Sequence, residues 1–178
     1  MDSINKNQPE DNFEDLHGED AQKKIKELHG KAGSCFFCTS VKTGKPFSTR
    51  PMSVQKLDDD SNFWFLSASD SHKNAEIAAD PKVQLLFQGS DYTDFLHIYG
   101  RASITKDKKV IKELWNPILK TWFTEGIDDP RITAIKVEPE GGYYWDTKHN
   151  MAIGMIKRAA GAIMGKTLDD SIEGNIKV

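Results

Sequence analysis

The chain has little that would tie it to a membrane, an oxidising compartment or nucleic acid. Its longest stretch without a charge, Ala32 to Val41, is about half of the roughly 20 apolar residues that a membrane span needs. Met1-Asp2-Ser3-Ile4-Asn5-Lys6 has neither the basic start nor the apolar run of a secretory signal. Only 2 cysteines occur in 178 residues, too few for a disulfide framework, so the expected setting is reducing and cytoplasmic. Lys and Arg total 24 against 27 Asp and Glu, a formal net charge of −3, so neither nucleic acid nor a membrane is expected as a partner.

Catalytic signatures are also missing. There is no HExxH, GxSxG, Walker loop or GxGxxG, which removes the parts that zinc proteases, serine hydrolases, P-loop enzymes and dinucleotide-binding domains require. Cys35 and Cys38 have CxxC spacing, but in a strand positions i and i+3 point to opposite faces, and no second pair exists to complete a zinc site. The 5 histidines show no ligand spacing, so no metal is expected.

What is present reads as strands with a few helices. Residues 1–20 form an acidic segment, with Asp2, Glu10, Asp11, Glu14, Asp15, Glu19 and Asp20 against Lys6, and disorder is expected there. Ala21, Ile25 and Leu28 then recur at helical spacing before His29-Gly30-Lys31. Strands are predicted over Cys35–Val41, Phe47–Lys56 and Phe63–Ala68, joined by turns at Thr43–Pro46 and Asp58–Asn62 as two successive hairpins. A short helix over Ser71–Ala79 stops before Asp80-Pro81, and strands resume over Val83–Gln88 and Phe95–Thr105. The latter alternates cleanly, with Leu96, Ile98, Gly100, Ala102 and Ile104 on one face.

Two tandem helices are expected from the stripes Val110, Ile111, Leu114, Trp115 and, after Asn116-Pro117, Ile118, Leu119, Trp122, Phe123. Strands over Ile132–Val137 and Tyr143–Trp145 are separated by Glu138-Pro139-Glu140-Gly141-Gly142. Trp64, Trp115 and Trp122 are expected in the core. About six strands with short turns favour a small closed β-barrel flanked by helices over a doubly wound sheet. The domain is placed at residues 21–146, with 147–178 as a basic amphipathic tail.

On chemistry alone, the candidate site is a set of anion-binding groups. Arg50 lies in one strand, Ser67 ends another, and Ser71-His72-Lys73 opens the short helix. Unpaired amides at a helix start, a lysine and a guanidinium suit a phosphate. The competing reading makes Ser71 a simple cap and Arg50 and Lys73 solvated charges.

Arg50-Pro51-Met52, Phe63-Trp64-Phe65-Leu66-Ser67, Ser71-His72-Lys73, Asp80-Pro81, Val83–Phe87 and Tyr99-Gly100-Arg101-Ala102 occur in that order. The series resembles the pyridoxamine 5'-phosphate oxidase-like flavoproteins, in the general stress protein 26 branch, over about Cys35 to Asp146. The resemblance implies a mainly β fold, a six-stranded split barrel of Greek-key type, and a homodimer with FMN at its interface, FAD being the alternative cofactor. It implies that Arg50 and the Ser71-His72-Lys73 triplet hold the phosphate, with His72 in place of the usual arginine. Met52 and Ser53 would pass beneath the flavin ring, Leu66 and Ser67 would line it, and Trp145 would close the site from the second subunit.

Trp145 is followed by Asp146-Thr147-Lys148-His149-Asn150 rather than the Gly-rich turn and Arg-Leu-His-Asp-Arg segment of the true pyridoxamine phosphate oxidases. The expected function is therefore an FMN-dependent oxidoreductase acting on a small unknown substrate, and not a vitamin B6 enzyme. The alternatives are a non-catalytic flavin store and, more weakly, a haem-binding barrel using His97 or His149.

Overall fold

Strands β2 (Ser34–Thr39) and β3 (Ser48–Ser53) form an antiparallel hairpin in the computed structural model, which describes residues 11–41, 46–149, 157 and 170–178. Alternation sets two faces in β3, where Ser48, Arg50 and Met52 share the more buried side, and in the first half of β2, where Phe37 is buried while Phe36 is exposed; Cys38 and Thr39 after it are both buried. At Val54 and Gln55 the chain changes partners. The Val54 amide still donates to the Gly33 carbonyl (3.3 Å), but the Gln55 amide donates to that of Trp64 (2.8 Å). Strand β4 (Lys56–Leu57) then pairs with β5 (Phe63–Ala68).

Helix α2 (His72–Ala79) leads to β6 (Lys82–Gln88), which pairs with β2 and with β7 (Phe95–Thr105). Strand β8 (Ile132–Thr147) lies against β7 and, through its first half, against β5. The path β4-β5-β8-β7-β6-β2-β3 therefore returns to where it began, because β3 and β4 are halves of one bent strand. The closure is incomplete. Pairing between this bent strand and β5 is confined to Lys56–Trp64 and Leu57–Phe63, so β3 and residues 65–68 of β5 face each other as unpaired edges. This is the split of a six-stranded split barrel.

The barrel interior is filled by Phe37, Phe63, Phe65, Leu85, Leu96, Ile98, Ile135 and Val137. Phe37 meets Phe65 edge to face at 5.1 Å. Helix α1 (Gly18–Ala32) closes one end with Ala21, Ile25 and Leu28, and α2 contributes Ile77. A second cluster lies outside β5 and β8, where Leu66, Ile132 and Ala134 meet Ile111 and Leu114 of α3 (Lys108–Leu114). Asp107 caps α3 by accepting from the Lys109 amide at 2.8 Å. Asp107→Ala should lower stability by about 1 kcal/mol, read as a shift of the urea midpoint with an unchanged slope.

Several expectations change. Residues 11–20 are ordered: β1 (Leu16–His17) runs parallel to β9 (Ser171–Lys177), and α1 starts at Gly18. The acidic composition there is accommodated because backbone pairing, not side-chain burial, holds the segment; the Glu14 amide donates to the Glu173 carbonyl (2.9 Å) and Tyr144 Oη to the Glu14 carbonyl (2.9 Å). The end of the predicted tail is likewise a strand, β9 pairing with β8. Residues 1–10, the turn residues 42–45 and most of the predicted tail helix (150–156 and 158–169) lie outside the described residues.

Strand β8 is continuous through Glu138–Gly142, because a bulge absorbs the irregularity where Tyr99 pairs with Gly141 and Gly100 with Pro139. Gly142 tolerates no side chain, since a Cβ there would collide with the His97 carbonyl oxygen. The second helix is a 3-10 turn, Pro117–Thr121. Its tighter winding buries Leu119 and Phe123 but leaves Ile118 67% and Trp122 64% exposed, so Trp122 is not a core residue. Among the described residues no helix is long and apolar enough to cross a membrane.

Candidate functional site

Four of the residues singled out from the sequence meet at one end of the split. Ser67 lies one residue from the end of β5, Ser71 precedes α2, Lys73 lies in its first turn, and Arg50 stands on the facing edge of β3. Ser71 Oγ does not cap its own helix. It donates to Asn74 Oδ1 (3.2 Å) and lies 3.1 Å from Ser67 Oγ. Asn74 is fixed in turn, its Nδ2 donating to Thr133 Oγ1 (2.9 Å) and that hydroxyl to the Ser67 carbonyl (2.8 Å). The end of β5, the start of β8 and the first turn of α2 are thus one hydrogen-bonded unit.

Lys73 has an unusual setting within it. The side chain is half-buried, its Nζ donates to Ser67 Oγ (3.0 Å), and it forms no ion pair among the described residues. Burial, reinforced by the Arg50 guanidinium, holds its pKa below the ordinary lysine value against the opposing charge of Glu76. Arg50 is already engaged, donating through Nη1 to Thr39 Oγ1 (2.6 Å) and through Nη2 to Glu76 Oε2 (2.7 Å). Burial raises the Glu76 pKa, but hydrogen bonds from Thr39, Ser48 and Arg50 outweigh it and hold the carboxyl below its usual range. Two cations and one carboxylate therefore share a partly buried mouth, with the amides of the first turn of α2 beside them. A single anion at Lys73 would complete the charge balance.

The other expected residues fall around this mouth or away from it. Met52 is half-buried against the barrel core and Ser53 is exposed, both on the edge of β3. Leu66 points out of the barrel into the second apolar cluster, so only its backbone faces the split. His72 is exposed on the first turn. Trp145 is remote within the same chain: Thr133 lies beside Ser67, and at about 3.3 Å per residue roughly 40 Å of β8 separates it from Trp145. Trp145 is 42% exposed and packs on Tyr143, ring centroids 4.6 Å apart.

Sequence reasoning missed Thr39, Ser48, Glu76 and Asn74. Glu76 could have been found from its position one helical turn after Lys73 on the same face. Cys35 and Cys38 are free and buried, and burial pushes the Cys35 thiol up, which disfavours the thiolate. Of the haem candidates, His97 Nε2 is buried without a partner and burial lowers its pKa, while His149 Nδ1 is tied to the buried Asp170 at 2.7 Å.

The model of the family described as pyridoxamine 5'-phosphate oxidase like matches residues 20–169. The chain belongs to this family. A curated relative, protein bli-3 of Neurospora crassa, is 28% identical over 110 residues, which cover 57% of this chain and 53% of that protein. The chain thus matches about half the length of that curated relative. Solved structures of similar proteins share the fold. A Jannaschia sp. CCS1 protein assigned to general stress protein 26 superposes with a TM-score of 0.74 at 21% identity, covering 90% of this chain and 100% of that one. The general stress protein 26 of Bacillus anthracis str. Sterne gives 0.59 at 26% identity, over 69% and 92%. The general stress FMN/FAD binding protein of Xanthomonas citri gives 0.56 at 22%, over 68% and 84%.

Proposed function

We propose that the protein is an FMN-binding flavoprotein that works as a homodimer and transfers electrons between a reduced donor and a small acceptor. The observation that carries this reading is Lys73, half-buried at a helix start beside Arg50, with the Ser67 hydroxyl as its hydrogen-bond partner among the described residues. The residues present fit the phosphate end of FMN. Lys73 Nζ, Ser71 Oγ and the first-turn amides of α2 would hold it, and Arg50 would act from behind, its charge shared with Glu76. His72 in the usual arginine position supplies less charge from an exposed site. Met52, Ser53 and the backbone of Leu66–Ser67 would border the ring along the open edges of the split.

The flavin when bound supplies the redox chemistry, accepting and giving up an electron pair; the chain's own task is placement, charge balance and exclusion of water. A structural neighbour named as a general stress FMN/FAD binding protein supports the cofactor class. The missing Arg-Leu-His-Asp-Arg segment after Trp145 argues against a pyridoxamine phosphate substrate. The reading is tested by mixing flavin-loaded protein with NADH or NADPH under anaerobic conditions. Bleaching of the bound flavin, reversed by an added acceptor, is expected. A flavin that stays oxidised with every donor would leave the storage reading in its place.

The dimer rests on the outer face of the sheet. Pro51, Phe36, Leu86, His97 and Tyr143 are successive cross-strand neighbours there, and Phe36, Leu86 and nearby Tyr99 are large apolar groups left open. A second copy on this face would cover the stripe and could bring Trp145 to a flavin that its own chain cannot reach. Phe36→Glu should therefore halve the mass read by light scattering and release FMN, whereas a Phe36→Glu protein that stays dimeric would remove this face from the interface.

A further inference from the structure

The chain has a hollow of about 460 Å³ between Tyr92, Thr93, Phe95, Trp145 and Ser171, within the range of small-molecule sites. Three aromatic rings line it. Phe95 and Trp145 are direct cross-strand partners on β7 and β8, so their side chains stand together on one face of the sheet. Tyr92 stands on the β6–β7 loop and is 78% exposed, yet that loop is held in shape: the Thr93 amide donates to Ser90 Oγ (3.1 Å), Ser90 Oγ donates to the Thr93 carbonyl (2.9 Å), and the Gly89 amide donates to the Asp94 carbonyl (2.8 Å). A large ring kept in solvent on a fixed turn beside two others is poorly explained by packing.

Charge narrows the choice of occupant. No lysine or arginine is among the described residues that line the hollow, and its one carboxylate, Asp146, is already neutralised by Lys24 at 2.8 Å. Thr93 and Ser171 complete the edge, but Thr93 Oγ1 is buried and Ser171 Oγ already accepts from Asn12 Nδ2 at 3.4 Å. We propose that this hollow is the seat of the protein's substrate and that the substrate is an uncharged, planar aromatic molecule. Its being a substrate rests on the flavin reading, which puts Trp145 beside the cofactor of the partner copy; its ring character and neutrality rest on the hollow alone. An anionic ring would lose hydration without gaining a cation from the described lining residues, and a cationic one would find Asp146 occupied.

The test uses the full-length, FMN-supplemented protein and two probes with the same ring system, 2-naphthol, uncharged at neutral pH, and 2-naphthoate, an anion. Isothermal titration should give 2-naphthol a Kd below about 1 mM. The same titration should show 2-naphthoate weaker by about tenfold or more, and Tyr92→Ala should weaken 2-naphthol by about tenfold, one ring contact in three being lost. Tyr92 is exposed, so its removal leaves the barrel folded, and circular dichroism of the variant confirms that. No binding of 2-naphthol, equal binding of 2-naphthoate, or a Tyr92→Ala protein that binds as well as the parent would each overturn the proposal. Flavin retention is read from the absorption of the same sample. A protein that keeps its flavin and ignores 2-naphthol refutes the substrate class alone; one that binds 2-naphthol but keeps no flavin refutes the role as substrate together with the flavin reading.

Discussion

Lys73→Ala should weaken FMN binding by about 1.5 to 3 kcal/mol, the range for hydrogen bonds to charged groups and roughly 10- to 150-fold in Kd, while riboflavin binding changes little. The contrast follows from what Lys73 touches. Its ammonium is half out of water, donates to Ser67 Oγ and pairs with no carboxylate among the described residues, so a phosphate is the partner those surroundings lack. Riboflavin, without the phosphate, makes no use of that charge. The variant should fold normally, because removing an incompletely solvated cation next to Arg50 relieves repulsion rather than breaking an ion pair.

Arg50→Ala is a less clean experiment, since it would also leave Glu76 among Thr39 and Ser48 without its cation. The pH dependence runs in a fixed direction. The Lys73 pKa is lowered by burial and by Arg50, so its charge is lost at a lower pH than that of an ordinary lysine, and the preference for FMN over riboflavin should fall as the pH rises towards 10.5. Fluorescence titrations with both flavins at several pH values check both statements. Equal losses for FMN and riboflavin in Lys73→Ala would place the residue away from the phosphate.

Phe65→Ala should cost the fold about 3 to 5 kcal/mol, the usual loss for a buried phenylalanine replaced by alanine. Phe65 is fully buried at the centre of the barrel, edge to face with Phe37, and its strand pairs with β8 along its whole length. The remaining Phe37 ring is carried by β2, which is paired on both sides by β3 and β6, so it cannot shift to fill the gap and the cavity persists. Urea unfolding gives the number, with Ile118→Ala as a control expected to stay within about 0.5 kcal/mol, since Ile118 is a surface residue. A loss below about 1.5 kcal/mol for Phe65→Ala would mean that the barrel interior repacks freely, contrary to the close packing expected of a core.

The parts of the fold legible in the sequence are those where side-chain pattern and backbone agree. Phe95–Thr105 alternates apolar and polar residues and is strand β7 over that same range, and Ser71 and Asp80-Pro81 bracket helix α2. The parts that were not legible depend on partners distant in sequence. Strand β9 carries Ile172, Gly174 and Ile176 at every second position, but Gly174 is there because the backbone of Glu14 crosses directly over it, a contact no local pattern announces. Pro139, Gly141 and Gly142 read as chain breakers, whereas a bulge accommodates the proline and the close approach of the His97 carbonyl requires glycine at 142.

The candidate site was legible in composition and not in wiring. Arg50, Ser67, Ser71 and Lys73 were readable as an anion-binding set, and the structure gathers them at one end of the split. That Arg50 is shared with Glu76, leaving Lys73 as the freer cation, depends on β3 and α2 meeting across the barrel mouth. Trp145, at the far end of β8 from Thr133 and Ser67, joins the set only if the proposed second copy supplies it.

Flavin binding is decided by an absorption spectrum of the purified protein, taken again after FMN is added and the excess removed on a desalting column. The expected result is the two-banded spectrum of a bound flavin in stoichiometric amount with the chain. A colourless protein that retains no flavin would contradict the flavin reading.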